Sequence, residues 1–354
     1  MEPEYPIIDH RSAWRADTVG KQDMTIELED RHLYAFDRAL QAVHTAGIDL
    51  CDITREHFDL ADIAGDVLRW RNEIMDGYGL VILKGFPIEQ YSQDDMAMTY
   101  WGLATQIGIP MSQSMMGDRL GHVVDVAGKD PRERAYRNST ELSMHTDASD
   151  VVGMLCLQKA IEGGVSGYAS AITVYNEITK RRPDLLPILF RGFYYHRFGE
   201  EQPGQAPVTE QRIPVFSLKD GYLSVNYLRA YIDLACQKLN QPLTDEETEA
   251  LDLVDEIAHG DAIALRFITE PGEAVFFNNL TVLHNRSAFE DADEPEKKRH
   301  LLRLWLVAHQ QRPTVNALRI FEGKGIAKQA GKGTYFGKDL NYDEFGKGST
   351  RASD

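Results

Sequence analysis

Met144-His145-Thr146-Asp147-Ala148, followed by Ser149-Asp150-Val151-Val152-Gly153-Met154-Leu155-Cys156-Leu157, is the stretch on which the reading of this chain turns. The apolar run 151–157 has the length and composition of a buried strand. Just ahead of it, His145 and Asp147 stand two positions apart, and extended backbone puts such a pair on one face. A third donor, His284, closes the distant run Phe276-Phe277-Asn278-Asn279-Leu280-Thr281-Val282-Leu283-His284. Two imidazoles and one carboxylate would hold a metal ion.

Spacing alone does not select this pair, because the chain holds three His-x-Asp triplets, the others being His57/Asp59 and His259/Asp261. His57 and Asp59 open a helical run (Leu60, Ile63, Ala64, Val67, Leu68), where residues two apart point to nearly opposite sides. His259-Gly260-Asp261 follows the acidic helical segment 244–258, with Gly260 as its stop signal. Only His145 and Asp147 are well placed for chelation.

The 354 residues suffice for a sizeable core. With 38 Lys plus Arg against 55 Asp plus Glu, the formal charge is -17, which argues against a nucleic acid or an anionic membrane as partner. No apolar run approaches the roughly 20 residues that span a bilayer, and the acidic N-terminus lacks a signal pattern. A cytoplasmic location and a small-molecule substrate are expected. Homo-oligomerisation stays open. Cys51, Cys156 and Cys236 are odd in number and widely spaced, so no disulfide framework or cysteine zinc site is expected.

Periodicity predicts helices over 30–47, 60–75 and 92–107, and a buried strand within 79–87. Further strands are expected at 122–126, 151–157 and 168–174, then a helix over 176–190 interrupted at Pro183 and Pro187. Asp220-Gly221 signals a hairpin, and Thr244-Asp245-Glu246-Glu247 has capping-box spacing. Residues 262–268 and 274–277 flank the turn Glu270-Pro271-Gly272-Glu273, which predicts another hairpin. The last strand is expected at 299–307. Beyond Pro313 the chain turns Gly- and Lys-rich and reads as surface wrapping or disorder without a function.

With His145 and Asp147 on one side of a β-barrel and His284 on a facing strand, the three ligands occupy one face of an octahedron and leave three positions open. That suits a non-haem Fe(II) oxygenase, which must hold a co-substrate and O2 together; a closed zinc site has no position to spare. A co-substrate such as 2-oxoglutarate leaves its distal carboxylate for a guanidinium fork. Arg299 and Arg303, four apart on the last predicted strand, are both candidates for that fork, with paired edge arginines as the plain alternative.

The chain resembles the taurine dioxygenase family of Fe(II)/2-oxoglutarate oxygenases, with features of its clavaminate synthase-like relatives. The resemblance covers roughly residues 79–309. It rests on His145-Thr146-Asp147, Glu162-Gly163-Gly164-Val165-Ser166, Asn278-Asn279, Leu283-His284-Asn285-Arg286 and Arg299-His300-Leu301-Leu302-Arg303, in that order. It implies that His145, Asp147 and His284 hold iron, and that Ser166 and Arg299 hold the distal carboxylate. Arg303 matches a position that meets either the co-substrate or an anionic group of the prime substrate. The acidic segment 290–296 lengthens the usual gap before Arg299, and Arg286 reads as a structural ion-pair residue.

The expected fold is α+β: a double-stranded β-helix (jelly-roll, cupin-like) core with flanking helices. One catalytic domain is expected over 1–354, with a mainly helical part at 1–78, the jelly-roll core with lid insertions at 79–309, and a tail at 313–354. The expected activity is hydroxylation of an unactivated C–H bond of a small molecule (an amino acid, carboxylate, sulfonate or natural product) with release of succinate and CO2. A zinc-type hydrolase and a non-catalytic cupin-like binding protein are the rival readings.

Overall fold

The computed structural model describes residues 5–125, 139–202, 204–294, 297–318, 320–321 and 324–328. Their architecture is a mixed α+β arrangement of two principal sheets. The larger, seven-stranded, runs in the order Thr25–Glu27, Leu80–Lys84, Glu273–Asn278, Val151–Gln158, His300–Ala308, Gly108–Met111, with Leu120–Val123 also pairing with His300–Ala308. The smaller runs Leu265–Phe267, Ser166–Ser170, Val282–Arg286, Leu142–His145, and every pairing in it is antiparallel.

Period-2 alternation decides what each face buries. In the strand His300–Ala308, Leu302, Leu304 and Leu306 join a cluster with Phe36, Trp70, Tyr100 and Trp101, from the helices Asp30–Ala46, Ala64–Asp76 and Gln93–Ile107. Trp305 points the other way, into a core shared with Ile82, Val275 and Phe277 of the large sheet and Tyr168, Phe267 and Val282 of the small one. The outer face of the small sheet, through Met144, Ala169 and Leu283, buries against a second helical cluster with Tyr175, Leu189 and Val254. The layers are therefore helix, sheet, sheet, helix.

Local signals account for most element boundaries. Gly47, with φ +64°, ends the first long helix in the left-handed conformation that glycine adopts without a Cβ clash. Ser92 and Thr244 cap their helices through side-chain bonds to Asp95 N and Glu247 N, as the capping pattern at 244 predicts. Asp220 and Gly221 both take positive φ between the paired strands Phe216–Lys219 and Tyr222–Val225, the expected hairpin.

Three expectations need correction. The β-branched run after Tyr168 is not strand throughout: the strand stops at Ser170, whose hydroxyl accepts from Thr173 N at 3.0 Å and starts the helix Ala171–Arg181. A cap outweighs the β propensity of Ile172, Thr173 and Val174. The turn at Pro271-Gly272 does not close a hairpin, because Leu265–Phe267 pairs within the small sheet and Glu273–Asn278 within the large one. Turn chemistry is the same for a hairpin and for a crossing between sheets. Finally, the segment after Pro313 returns to the protein interior: Leu318 is buried and Ile326 fully so, and Ile326 N donates to Ser112 O at 3.0 Å. The rest of the expected tail, 329–354, lies outside the described residues.

Among the described residues, no helix is long and apolar enough to cross a membrane.

Candidate metal centre and adjoining clefts

His145 ends the strand Leu142–His145 and lies directly opposite His284 of the strand Val282–Arg286. The two imidazoles thus come from neighbouring strands of one sheet, not from facing strands; their ring centroids are 4.2 Å apart. Asp147 sits beyond the strand end, in the connection to Val151–Gln158. One donor atom from each of His145, Asp147 and His284 lies within 4.8 Å of the other two.

A loop carboxylate needs anchoring, and the chain supplies it on three sides. Asn279 accepts from Asp147 N at 2.8 Å and donates to the carbonyls of Asp147 and Ser149 at 2.5 and 2.9 Å. Thr146 N donates to Tyr227 O at 2.7 Å while Tyr227 N donates to the Thr146 hydroxyl at 2.9 Å. The indole Nε1 of the buried Trp305 donates to Asp147 Oδ2 at 2.9 Å. Asn279 and Trp305 are positioning residues; Asn279 was quoted from the sequence as part of a matching motif without a role assigned to it, and Trp305 was not singled out. For Trp305 the available signal was parity, since it shares a strand face with Arg303.

The donors have the chemistry a divalent cation requires. His145 Nδ1 donates to Ser143 O at 2.8 Å, which fixes the proton there and leaves the Nε2 lone pair for a ligand. The His284 ring is held neutral: burial, and then the adjacent His145, bring its pKa down to about 3. Its Nε2 stands 3.9 Å from Asp147 Oδ2, outside hydrogen-bond reach, and Nδ1 has no partner among the described residues. Two imidazole nitrogens and a carboxylate fit Fe(II).

The structure separates the two candidate arginines. A β-bulge between His300 and Leu301 lies between them. Arg303, buried, donates through Nε to Gln113 Oε1 at 2.6 Å, stacks over the Trp305 ring, and brings Nη1 to 3.6 Å from Asp147 Oδ2. Arg299 is 4% exposed and rests on the Phe289 ring, whose other guanidinium neighbour is Arg286. Burial lowers the pKa of both, Arg286 to about 10, with the charge of Arg299 as the second cause for Arg286. Tyr168 lies near both Ser166 and Arg299, and the Ser166 hydroxyl is 3.4 Å from that of Thr269. Among the described residues, Arg299 has no carboxylate within ion-pair distance. Asp291, whose Oδ1 accepts from Arg299 N at 2.6 Å, offsets only part of the burial cost from a distance, and a guanidinium buried without direct contact to an anion is costly.

Two adjoining hollows open over Asp147. One is lined by Thr146, Tyr195, Arg197, Glu200, Tyr231 and Trp305, the other by Met111, Ser149, Asp150 and Val307; Asp147, Ala148, Asn226, Ile320 and Phe321 line both.

Residues 44–305 match the family described as taurine catabolism dioxygenase TauD, TfdA family. The chain belongs to that family. It is accordingly an oxidoreductase, a 2-oxoglutarate-dependent non-haem iron dioxygenase. A curated relative, FR-33289 synthase of Streptomyces rubellomurinus, is 29% identical over 304 residues, covering 84% of this chain and 89% of the relative. Among solved structures, asparagine oxygenase in complex with Fe(II), 3-hydroxyasparagine and succinate aligns with a TM-score of 0.63 at 17% identity, over 86% of this chain and all of that one. The non-haem iron oxygenase OrfP with Fe and alpha-ketoglutaric acid aligns with a TM-score of 0.58 at 12% identity, over 80% of this chain and 94% of that one. At these identities the structures speak to the shared fold. The hydrolase and binding-protein readings are not favoured.

Proposed function

We propose that this dioxygenase hydroxylates an unactivated C–H bond of a small molecule in the clefts over Asp147, with His145, Asp147 and His284 holding Fe(II). The two facing sheets are read as a double-stranded β-helix of cupin-like type, and the chain as one catalytic unit. Support comes chiefly from one conjunction: three convergent donors, beside a buried Arg299 whose guanidinium no described carboxylate reaches within ion-pair distance. The hydrolase alternative leaves that arginine idle.

When bound, the iron would activate O2 at the expense of 2-oxoglutarate, giving succinate and CO2. The protein's part is positioning. His145 is oriented by Ser143, and Asp147 by Trp305 and Asn279. Arg299, with Ser166 beside Tyr168, takes the distal carboxylate of 2-oxoglutarate in a bidentate, charge-assisted pair. Arg303, turned towards Asp147, is placed to counter the charge of that carboxylate or to meet an anionic group of the prime substrate. The substrate lies in the cleft that Tyr195, Tyr231 and Trp305 line together with Asp147. The compounds bound in the solved structures, hydroxyasparagine and hydroxyarginine, point to amino acids and similarly small polar compounds as the class to test.

Incubation of iron-loaded protein with 2-oxoglutarate and 18O2 tests the reading. One labelled oxygen atom should enter succinate even without the prime substrate. Absence of succinate, with iron verified in the site and a broad metabolite pool supplied, would return the hydrolase and binding-protein readings to consideration.

A further inference from the structure

The family match ends at residue 305, yet the walls of both clefts include Ile320 and Phe321. These side chains share both clefts with Asp147, and the chain after the last strand is tied down at two places. On one side, Lys219 Nζ donates to Thr314 O at 3.0 Å, and Leu318 packs into the helix-side cluster with Val315 and Ile320 against it. On the other, Gly325 forms a parallel bridge to Ser112, and Ile326 is buried in the core between the sheets, where Phe321 also packs. Gly325 has φ +79°, and a Cβ there would lie 2.2 Å from Ser112 O, so this second anchor requires glycine.

We propose that this strap, the described residues 314–318, 320–321 and 324–328, is the substrate-selecting wall of the enzyme, and that Ile320 and Phe321 are its specificity-determining residues. The proposal rests on the dioxygenase reading, because it takes the clefts over Asp147 as the prime-substrate site. The physical argument is one of division. The metal donors, Ser166 and Arg299 all fall within the family-matching region. The strap lies outside it and presents apolar groups to the open side of the site. Apolar walls discriminate by shape, and an added or missing group in such a wall changes selectivity among substrates that share the same polar anchors. Two anchors in different clusters hold the wall in place.

Full-length protein is loaded anaerobically with Fe(II) and 2-oxoglutarate and titrated with glycine, L-alanine, L-asparagine, L-arginine and taurine, each free and N-acetylated. Binding is read from the shift each compound causes in the visible band of the complex, and turnover from succinate release in air. Phe321→Ala and Ile320→Ala should change the affinity for larger relative to smaller compounds by at least about tenfold. Gly325→Val, which dislodges the anchor and leaves the pocket side chains intact, should shift the ranking in the same direction. An unchanged ranking in all three variants, including the case in which no compound shifts the band of any variant, would overturn the assignment. A wild-type protein that forms no visible band would instead overturn the iron and 2-oxoglutarate reading beneath it.

Discussion

The Trp305 indole donates to Asp147 Oδ2 at 2.9 Å, so a residue from the interior of the large sheet orients a carboxylate on a loop beside the small one. Trp305→Phe keeps the ring in the core and removes the N–H. Loss of such an outer hydrogen bond costs about ten- to a hundredfold in metal affinity. We expect a weakening in that range for Fe(II) or Co(II), read by metal titration, and an altered d–d spectrum of the Co(II) form. The melting temperature of the metal-free protein separates this from general loss of packing: a large fall there with unchanged metal affinity would assign Trp305 to the core alone.

Arg299→Ala should raise the 2-oxoglutarate concentration for half-saturation by at least about thirtyfold, since truncating one partner of a buried charge pair costs about 2–5 kcal/mol. Arg303→Ala should affect that value less, because its guanidinium is directed to Gln113 and Asp147. Anaerobic titration of the visible band measures both. The reverse ranking would exchange the two assignments.

Acid should destabilise the fold through His300. The ring is only partly exposed, its Nε2 is 2.8 Å from His122 Nδ1, and burial first, then His122, bring its pKa down to about 3. An exposed imidazole titrates near ~6.5, so the unfolded chain gains its proton first as pH falls. The stability held by the neutral ring is complete above pH ~6.5 and is lost progressively down to pH ~3. His300→Gln should flatten the decline in that window by up to about 1.4 kcal/mol per pH unit. Urea midpoints at pH 7.5 and 5 for both proteins give the comparison, and parallel declines would remove His300 as a cause.

Ser170→Ala should cost about 1 kcal/mol or somewhat more of unfolding free energy. The fully buried hydroxyl both caps the helix Ala171–Arg181 and donates to Ser12 O at 2.5 Å. Chemical denaturation measures this, and a change below a few tenths of a kcal/mol would show that backbone or water takes over both bonds.

Residues that act through local pattern were readable from the sequence: the helix from Asp30, the capped helix at Thr244, the hairpin at Asp220-Gly221, and the choice of His145/Asp147 over the other two triplets. What resisted were facts of pairing. Nothing near Pro271 tells whether the flanking strands bond to each other or to partners in two sheets. His284 could be set on a facing strand or beside His145 with equal local plausibility, because register is decided by which face meets the core. Arg299 and Arg303, four apart, looked equivalent until their partners were known: Gln113 and Asp147 for Arg303, the Phe289 ring for Arg299. Ile320 and Phe321 were hidden by composition, as isolated apolar residues in a Gly- and Lys-rich segment carry no periodicity.

The rung that joins His145 to His284 also sets an order of events in the making of the protein. The two residues lie far apart in sequence, and neither strand can present its imidazole to the other until Val282–Arg286 has been synthesised and has zipped in correct register between Ser166–Ser170 and Leu142–His145. A slip of one position would offer Leu283 or Asn285 where His284 belongs. Metal capture therefore certifies that the newborn chain has made this distant pairing in the right register, and molecules in which it is unmade or slipped are left without a centre at which oxygen could be activated.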